Sequence, residues 1–417
     1  MQTSHAKSLY RRNITLLYLF QVTSHLWFDG ALWVIYWEHR GLNLFVIGLL
    51  EALLHLVSLL LDIPMGILAD KIGWKYSLFL SGIAGAMYCA CSLLPYVTLG
   101  AFSAFVFRGV QITLANGSDM ALTYETALSS GNVNRYQSLS GRLYATQILA
   151  LGLAEGLGGW LAAWNWAAVY GLFTLANLLS ATCSLFLSTP HRKESKASAH
   201  TLAAATPSLI DMLMTSARFA SKNSAYRRWI AFSATLSGCI ATFSFYGQSL
   251  LHDVGWSTQS VGILMGVECA ASAIASVASA TITRKLHIPG IVILTASGLA
   301  LFAWLPPFCK AFGYLLSQAM GSTAEPLIDK SLNTLLPGSL RATLLSGNST
   351  AFSLFMVAIF PLFGYVSSRS STIQTFHWCS GLVLFGVVIG FPIWLWKQRR
   401  SAAIHHAQEK SGNCDVN

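Results

Sequence analysis

The 417-residue sequence predicts an all-α integral membrane protein with twelve transmembrane helices, and three observations predict it. Only 10% of its residues are charged, whereas ordinary soluble domains carry about 25%. Hydrophobic residues make up 54%, and the mean hydropathy is +0.55. Twelve apolar runs approach the roughly 20 residues that a helix needs to cross hydrocarbon, and none shows the alternating pattern of a membrane barrel strand.

In order, the runs cover 14–37, 44–68, 76–95, 97–119, 138–162, 166–188, 229–250, 259–281, 288–305, 311–329, 343–367 and 377–396. The first is too long for the apolar core of a cleavable signal and lacks a small-residue cleavage site, so it is expected to remain as span one. A tight polar turn with Asp70, Lys71, Gly73 and Lys75 joins spans two and three. The longest polar stretch, 189–228, separates spans six and seven; it is basic and carries one amphipathic helix from Ser208 to Ala220. The expected organisation is a six-helix half at 1–188, a linker at 189–228, a second half at 229–396 and a tail at 397–417.

The net charge of +10 follows topology. With an inner N-terminus, the outer loops hold only Arg40, Lys310 and Arg369, and Arg108 lies inside a span, while the other Lys and Arg fall on the inner side. Basic residues are retained on the cytoplasmic side of a membrane, so both termini are expected there and nucleic acid is not an expected partner. Eight cysteines are scattered, mostly within spans, in a pattern that suggests neither a disulfide framework nor a zinc site.

The two halves read as a repeat. "GSDMALTYETAL" at 117–128 matches "GSTAEPLIDKSL" at 321–332, "RYQSLSG" at 135–141 matches "RATLLSG" at 341–347, and "VIGLL" at 46–50 matches "SVGIL" at 260–264. The matches run in order at nearly constant offset, as expected of a duplicated six-span unit with a substrate site between its copies near mid-membrane.

The turn "GILADKIGWK", with Gly66, Asp70, Lys71, Gly73 and Lys75, resembles the loop 2–3 signature of the major facilitator superfamily, and the topology agrees over residues 10–400. The resemblance implies two pseudo-symmetric six-helix bundles. It also implies that this loop is a conformational latch favouring the outward-facing state, with Asp119 as the acid expected to pair with Lys71 and Lys75. Gly66 would let another helix approach and Gly73 would allow the turn. In the second half, Arg284 stands where Asp70 sits, so that copy of the latch is degenerate. "RGVQ" at 108–111 resembles the family's span-four pattern linked to proton transfer, with Ile112 where glycine is usual. In span five, Gly141, Ala150, Ala154, Glu155, Gly158 and Gly159 follow the spacing of the antiporter motif of the drug/proton branch, with Glu155 in place of its proline and two glycines changed to alanine.

Ionisable groups inside a bilayer cost about 2.5–3.5 kcal/mol each on insertion scales, so each needs a reason. At 1.5 Å per residue, Arg108, His25 and His55 lie near mid-membrane. Asp29 and Glu51 sit one turn further out, which gives i,i+4 pairs His25/Asp29 and Glu51/His55. Asp29 is the leading proton carrier, because the resemblance implies an acid on span one in that role. Arg108 would tune it, and Glu51 or His55 would assist. Structural ion pairs would leave the same trace. Glu268 offers an acid from the second half, while Glu155 and Glu325 are placed toward the membrane faces. Trp27, Phe28, Trp33, Phe243, Phe245 and Tyr246 are candidates for an aromatic cavity lining.

These features point to a secondary transporter of small molecules in the bacterial cytoplasmic membrane. It is expected to act as a monomer, without cofactors, and to be driven by the proton gradient. Proton-coupled efflux of a lipophilic or cationic compound is the leading expectation, and an uptake symporter for a small organic solute or a non-transporting sensor are the alternatives. An enzyme is not expected, because the acids are single and dispersed where a Mg²⁺ site would need them clustered. No Gly-rich nucleotide loop is present for ATP-driven transport.

Overall fold

A computed structural model describes residues 2–129, 136–188, 209–336 and 341–390. Among these residues the backbone is almost wholly helical, with no strand, and eight helices combine the length and hydropathy needed to cross a bilayer. The linker segment 189–208, the end of the twelfth predicted run and the tail 397–417 lie outside the described residues.

The first predicted run is split. Helix α1 (Gln2–Ser24) stops at Ser24, residues 25–32 form turns, and α2 (Trp33–His39) resumes the course. Helices at membrane depth can break only where other groups satisfy the freed backbone. Here Gln248 does so from a distant helix: its Oε1 accepts from the Val34 N–H at 3.1 Å and its Nε2 donates to the Gly30 carbonyl at 3.0 Å. The expected i,i+4 pairing of His25 with Asp29 is therefore corrected, since both lie in turns rather than on one helix face.

Helix α3 (Leu44–Ile72) opens on an Asn43 cap and closes at Gly73, whose φ of +96° turns the chain into α4 (Trp74–Ser92). A side chain at such a backbone costs about 1–3 kcal/mol. Gly73→Ala is expected to lower the melting temperature in detergent, whereas Gly66→Ala is not, because a Cβ at Gly66 meets nothing within 4 Å. Equal melting of both variants would remove this reading of the turn. The close helix approach expected at Gly66 is absent in this arrangement.

The fourth run also differs. Helix α5 (Val97–Ala115) ends, Gly117 adopts φ +76°, and α6 (Ser118–Ser129) follows where a loop was expected. Long α7 (Tyr136–Trp164) and Asn165-capped α8 (Trp166–Phe186) complete the N-terminal set. The linker helix α9 (Leu209–Lys222) matches the amphipathic expectation within two residues at its end. Then come α10 (Ser224–Asp253), α11 (Thr258–Val277) and α12 (Ser279–Trp304), the last kinked at His287 two residues before Pro289. Helices α13 (Lys310–Leu335), α14 (Arg341–Arg369) and α15 (Thr372–Phe385) follow, and a π-helical turn at Gly386–Gly390 ends the described chain.

The largest crossings between the helices before the linker and those after it are α3 on α14 and α7 on α11. Both depend on glycine. A Cβ at Gly364 would collide with the Leu44 carbonyl and the Tyr246 hydroxyl, and one at Gly262 would lie 2.6 Å from the Glu155 carbonyl oxygen. Bonds at the end of the bundle remote from the linker reinforce these contacts: Tyr246 Oη donates to Leu44 O (3.2 Å) and Phe360 O (2.9 Å), and Thr258 Oγ1 donates to Gly159 O (3.1 Å). The aromatic core lies at the same end. Phe243 packs edge-on to Phe376 at 4.9 Å, and Tyr246 stacks between Phe360 and Phe363. Phe243 and Tyr246 are fully buried there, so their expected role as cavity lining is corrected.

Candidate functional site

The broken first span places Asp29 in the interior, 2% exposed, where the Tyr88 hydroxyl of α4 donates to its carboxylate. Arg108 of α5 is also buried. Its guanidinium lies 3.9 Å over the Trp27 ring and within 5.5 Å of the Tyr88 and Phe173 rings, a cation held by aromatic faces. Its Nη1 donates to Gln111 Oε1 at 2.9 Å, and Gln111 Nε2 donates to Asn177 Oδ1 at 2.8 Å. Tyr88 thus stands between the acid and the base, which do not meet as an ion pair among the described residues. Such an arrangement places an ionisable acid and a cation on either side of one phenol in the buried interior. The sequence marked Asp29, Arg108 and Gln111; Tyr88 and Asn177 were missed, although a lone Asn in an apolar run is a readable signal.

His25 is turned elsewhere, with Nδ1 against Gln21 O (2.9 Å) and its ring stacked on Trp27. The second expected pair does form. His55 Nε2 lies 3.4 Å from Glu51 Oε1 on α3, and His55 Nδ1 lies 3.3 Å from Ser353 Oγ across the α3–α14 crossing.

Ser353 belongs to the wall of a cavity of about 440 Å³ bounded by α10, α13 and α14. Hydroxyls of Ser233, Ser237, Ser322 and Ser349 line it, with Phe245 and Phe352 as ring walls and Glu325 as its one charged group. Of the six aromatics expected to line a cavity, Phe245 does so. Two polar atoms of this wall are buried without a hydrogen-bond partner, Gln318 Nε2 and Asn348 Oδ1. Both atoms are sealed within the packing behind the wall, where an orphaned group costs about 1–3 kcal/mol. The i,i+4 spacing of Ser233/Ser237 and of Ser349/Ser353 could have revealed this stripe. Glu325, expected toward a membrane face, lines the cavity. A larger pocket of about 570 Å³ between α10, α12 and α15 is walled mainly by apolar residues such as Leu236, Leu299 and Leu382, with Arg228 as its charged group.

Glu155 lies in the α7–α11 crossing. It lies about 14 Å along α7 from the helix end at Trp164, packed under Gly30, and its Oε2 accepts from Cys269 Sγ at 3.4 Å. Glu268, next to that thiol, accepts from Ser272 Oγ at 2.6 Å. Within the antiporter-like motif, a Cβ at Gly158 would collide with the Phe28 carbonyl and one at Gly159 would lie 2.5 Å from Thr258 O, whereas Gly141 faces open space.

The charged groups of the loop near Gly73 make local contacts. Asp70 accepts from the Trp74 indole at 3.3 Å, and Lys75 lies over the Tyr76 ring. Asp119 accepts from Gln21 Nε2 (3.2 Å) and from Met120 N (2.7 Å), so the expected pairing with Lys71 or Lys75 is not made in this arrangement.

Beyond the first span, Glu38 accepts from Ser249 Oγ at 3.0 Å, joining α2 to α10. Burial, with Asp253 nearby, pushes its carboxyl up from 4.5 to about 7. The folded chain then binds the extra proton between those values, so stability is highest below about 4.5 and falls as pH rises to about 7. The melting-temperature difference between wild type and Glu38→Gln should shift across that window in the wild type's disfavour and stay level above it. A flat difference would contradict this.

A sequence profile described as Major Facilitator Superfamily matches residues 14–320. The structure is similar to the nucleoside transporter NupG at TM-score 0.73 and 14% identity, covering 93% of this chain and 99% of that one. It is similar to a D-xylose–proton symporter at TM-score 0.62 and 13% identity, covering 92% and 97%. It is also similar to a bacterial homolog of the human lysosomal transporter Spinster, in an inward-facing and unoccupied conformation, at TM-score 0.65 and 15% identity, covering 90% and 88%. No curated protein matches the sequence.

Proposed function

Since the chain belongs to the Major Facilitator Superfamily, and is thus a multi-pass membrane transporter rather than an enzyme, we propose that it carries a small, uncharged, hydrogen-bonding organic solute, coupled to protons through Asp29. The observation that carries this reading is the cavity lined by Ser233, Ser237, Ser322, Ser349 and Ser353. Serine side chains between two phenyl rings suit a polar ring compound, such as a nucleoside or a sugar. The Glu51–His55–Ser353 contacts run from α3 to the cavity wall and supply a route by which protonation reaches the solute.

Transport follows from rocking of the 1–188 and 229–396 halves about their interface. Tight packing at the end remote from the linker, with the charged groups of the loop at Asp70 in local contacts, suits a state open toward the linker. By the distribution of basic residues that side is cytoplasmic, and the membrane is the bacterial plasma membrane.

Export of an organic cation is the second reading, and the observation favouring it is Glu325, whose carboxylate lines the cavity. Counterflow of labelled uridine, D-xylose and tetraphenylphosphonium into proteoliposomes decides between them. Exchange of uridine or xylose is expected, with Ser237→Ala and Ser349→Ala each weakening apparent affinity about tenfold, the equivalent of one lost hydrogen bond. Exchange confined to the cation and lost in Glu325→Gln would overturn the first reading.

A further inference from the structure

The structure assigns a second proton-binding site, separate from Asp29, to the carboxyl groups of Glu155 on α7 and Glu268 on α11. The two acids come from opposite sides of the α7–α11 crossing and share one thiol: Cys269 Sγ donates to Glu155 Oε2 at 3.4 Å and lies 4.0 Å from Glu268 Oε2. Glu155 is 9% exposed. Among the described residues no Lys, Arg or His lies within ion-pair distance of either acid, the one ion pair being His55 with Glu51.

The groups that face the pair from every side are acidic or neutral. From the turn after α1 comes Asp29, from α11 Cys269 and Ser272, and from α13 Tyr314, whose hydroxyl is occupied with Ser244. A thiol is a weak donor and compensates little of a buried carboxylate's lost hydration. Two neighbouring carboxylates that lack a cation cannot both ionise without strong repulsion.

The crossing leaves little room to relieve this. Gly262 and Gly266 bring α11 against the backbone of α7, with ideal Cβ positions 2.6 Å from Glu155 O and from Gly152 O respectively. With Glu268 half-buried and Glu155 buried, the pair keeps at least one proton while α7 and α11 stay packed, and gives it up when they separate and water reaches Glu155. Protonation and packing at this crossing are one equilibrium.

Infrared spectroscopy of the purified full chain in lipid tests this without any solute, so its outcome is independent of the transport reading. The wild-type spectrum minus that of Glu155→Gln/Glu268→Gln should show a protonated-carboxyl stretching band at neutral pH. That band should persist in Asp29→Asn. Cys269→Ser keeps both acids and replaces the thiol with a stronger donor, so it should displace the band even if the double variant folds poorly. A double variant with the full wild-type carboxyl signal, or a Cys269→Ser spectrum with no displacement, would overturn the assignment.

Discussion

Asp29→Asn is expected to abolish accumulation while leaving exchange intact. The amide keeps an acceptor for the Tyr88 hydroxyl but cannot take up a proton, so the solute still crosses down its own gradient. Coupling to one proton supports about tenfold accumulation for each pH unit of gradient. The variant should fall from that ratio to equality of solute on the two sides. Counterflow and energised uptake, measured on the same proteoliposomes, separate the two effects. Retained accumulation in the variant would remove Asp29 from the carrier role.

Gly364→Ala is expected to have the next largest effect, on conformation rather than on coupling. Its methyl group would collide with the Leu44 carbonyl and the Tyr246 hydroxyl, and overpacking of this kind costs about 1–3 kcal/mol. The cost falls on the arrangement in which α3 and α14 are packed at the end remote from the linker. That population should drop about tenfold for each 1.4 kcal/mol. Leu251 is fully buried at this end, so Leu251→Cys, in a background lacking other cysteines, reports opening through maleimide labelling. Faster labelling after Gly364→Ala is the expected result. An unchanged rate would mean that the crossing does not hold this end closed.

Most of the fold was legible because a bilayer imposes long apolar helices, which dominate composition and run length. The break in span one was not legible. "HLWFDG" at 25–30 contains no proline, and the groups that stabilise the break belong to Gln248, more than two hundred residues away. The same limit hid Tyr88 and the placement of Glu155. Depth along a helix can be counted from sequence, but which face meets a neighbour depends on crossings such as Gly262 on Glu155. His55 and Glu51 were found because an i,i+4 pair on one unbroken helix is a local relation. His25 and Asp29 failed the same rule because their helix was not continuous. The cavity was overlooked for a different reason: serine is common enough that its helical spacing on α10 and α14 draws notice only when the two helices are seen side by side.

Proton movement accompanying solute movement tests the central claim most directly. Wild-type chain and Asp29→Asn would be reconstituted with a pH-sensitive dye in the lumen and challenged with uridine, D-xylose or tetraphenylphosphonium. The account predicts a luminal pH change that starts on addition of a transported solute, scales with its flux and is absent in Asp29→Asn. Solute flux through the wild type with no pH change, or an equal pH change in the variant, would contradict it.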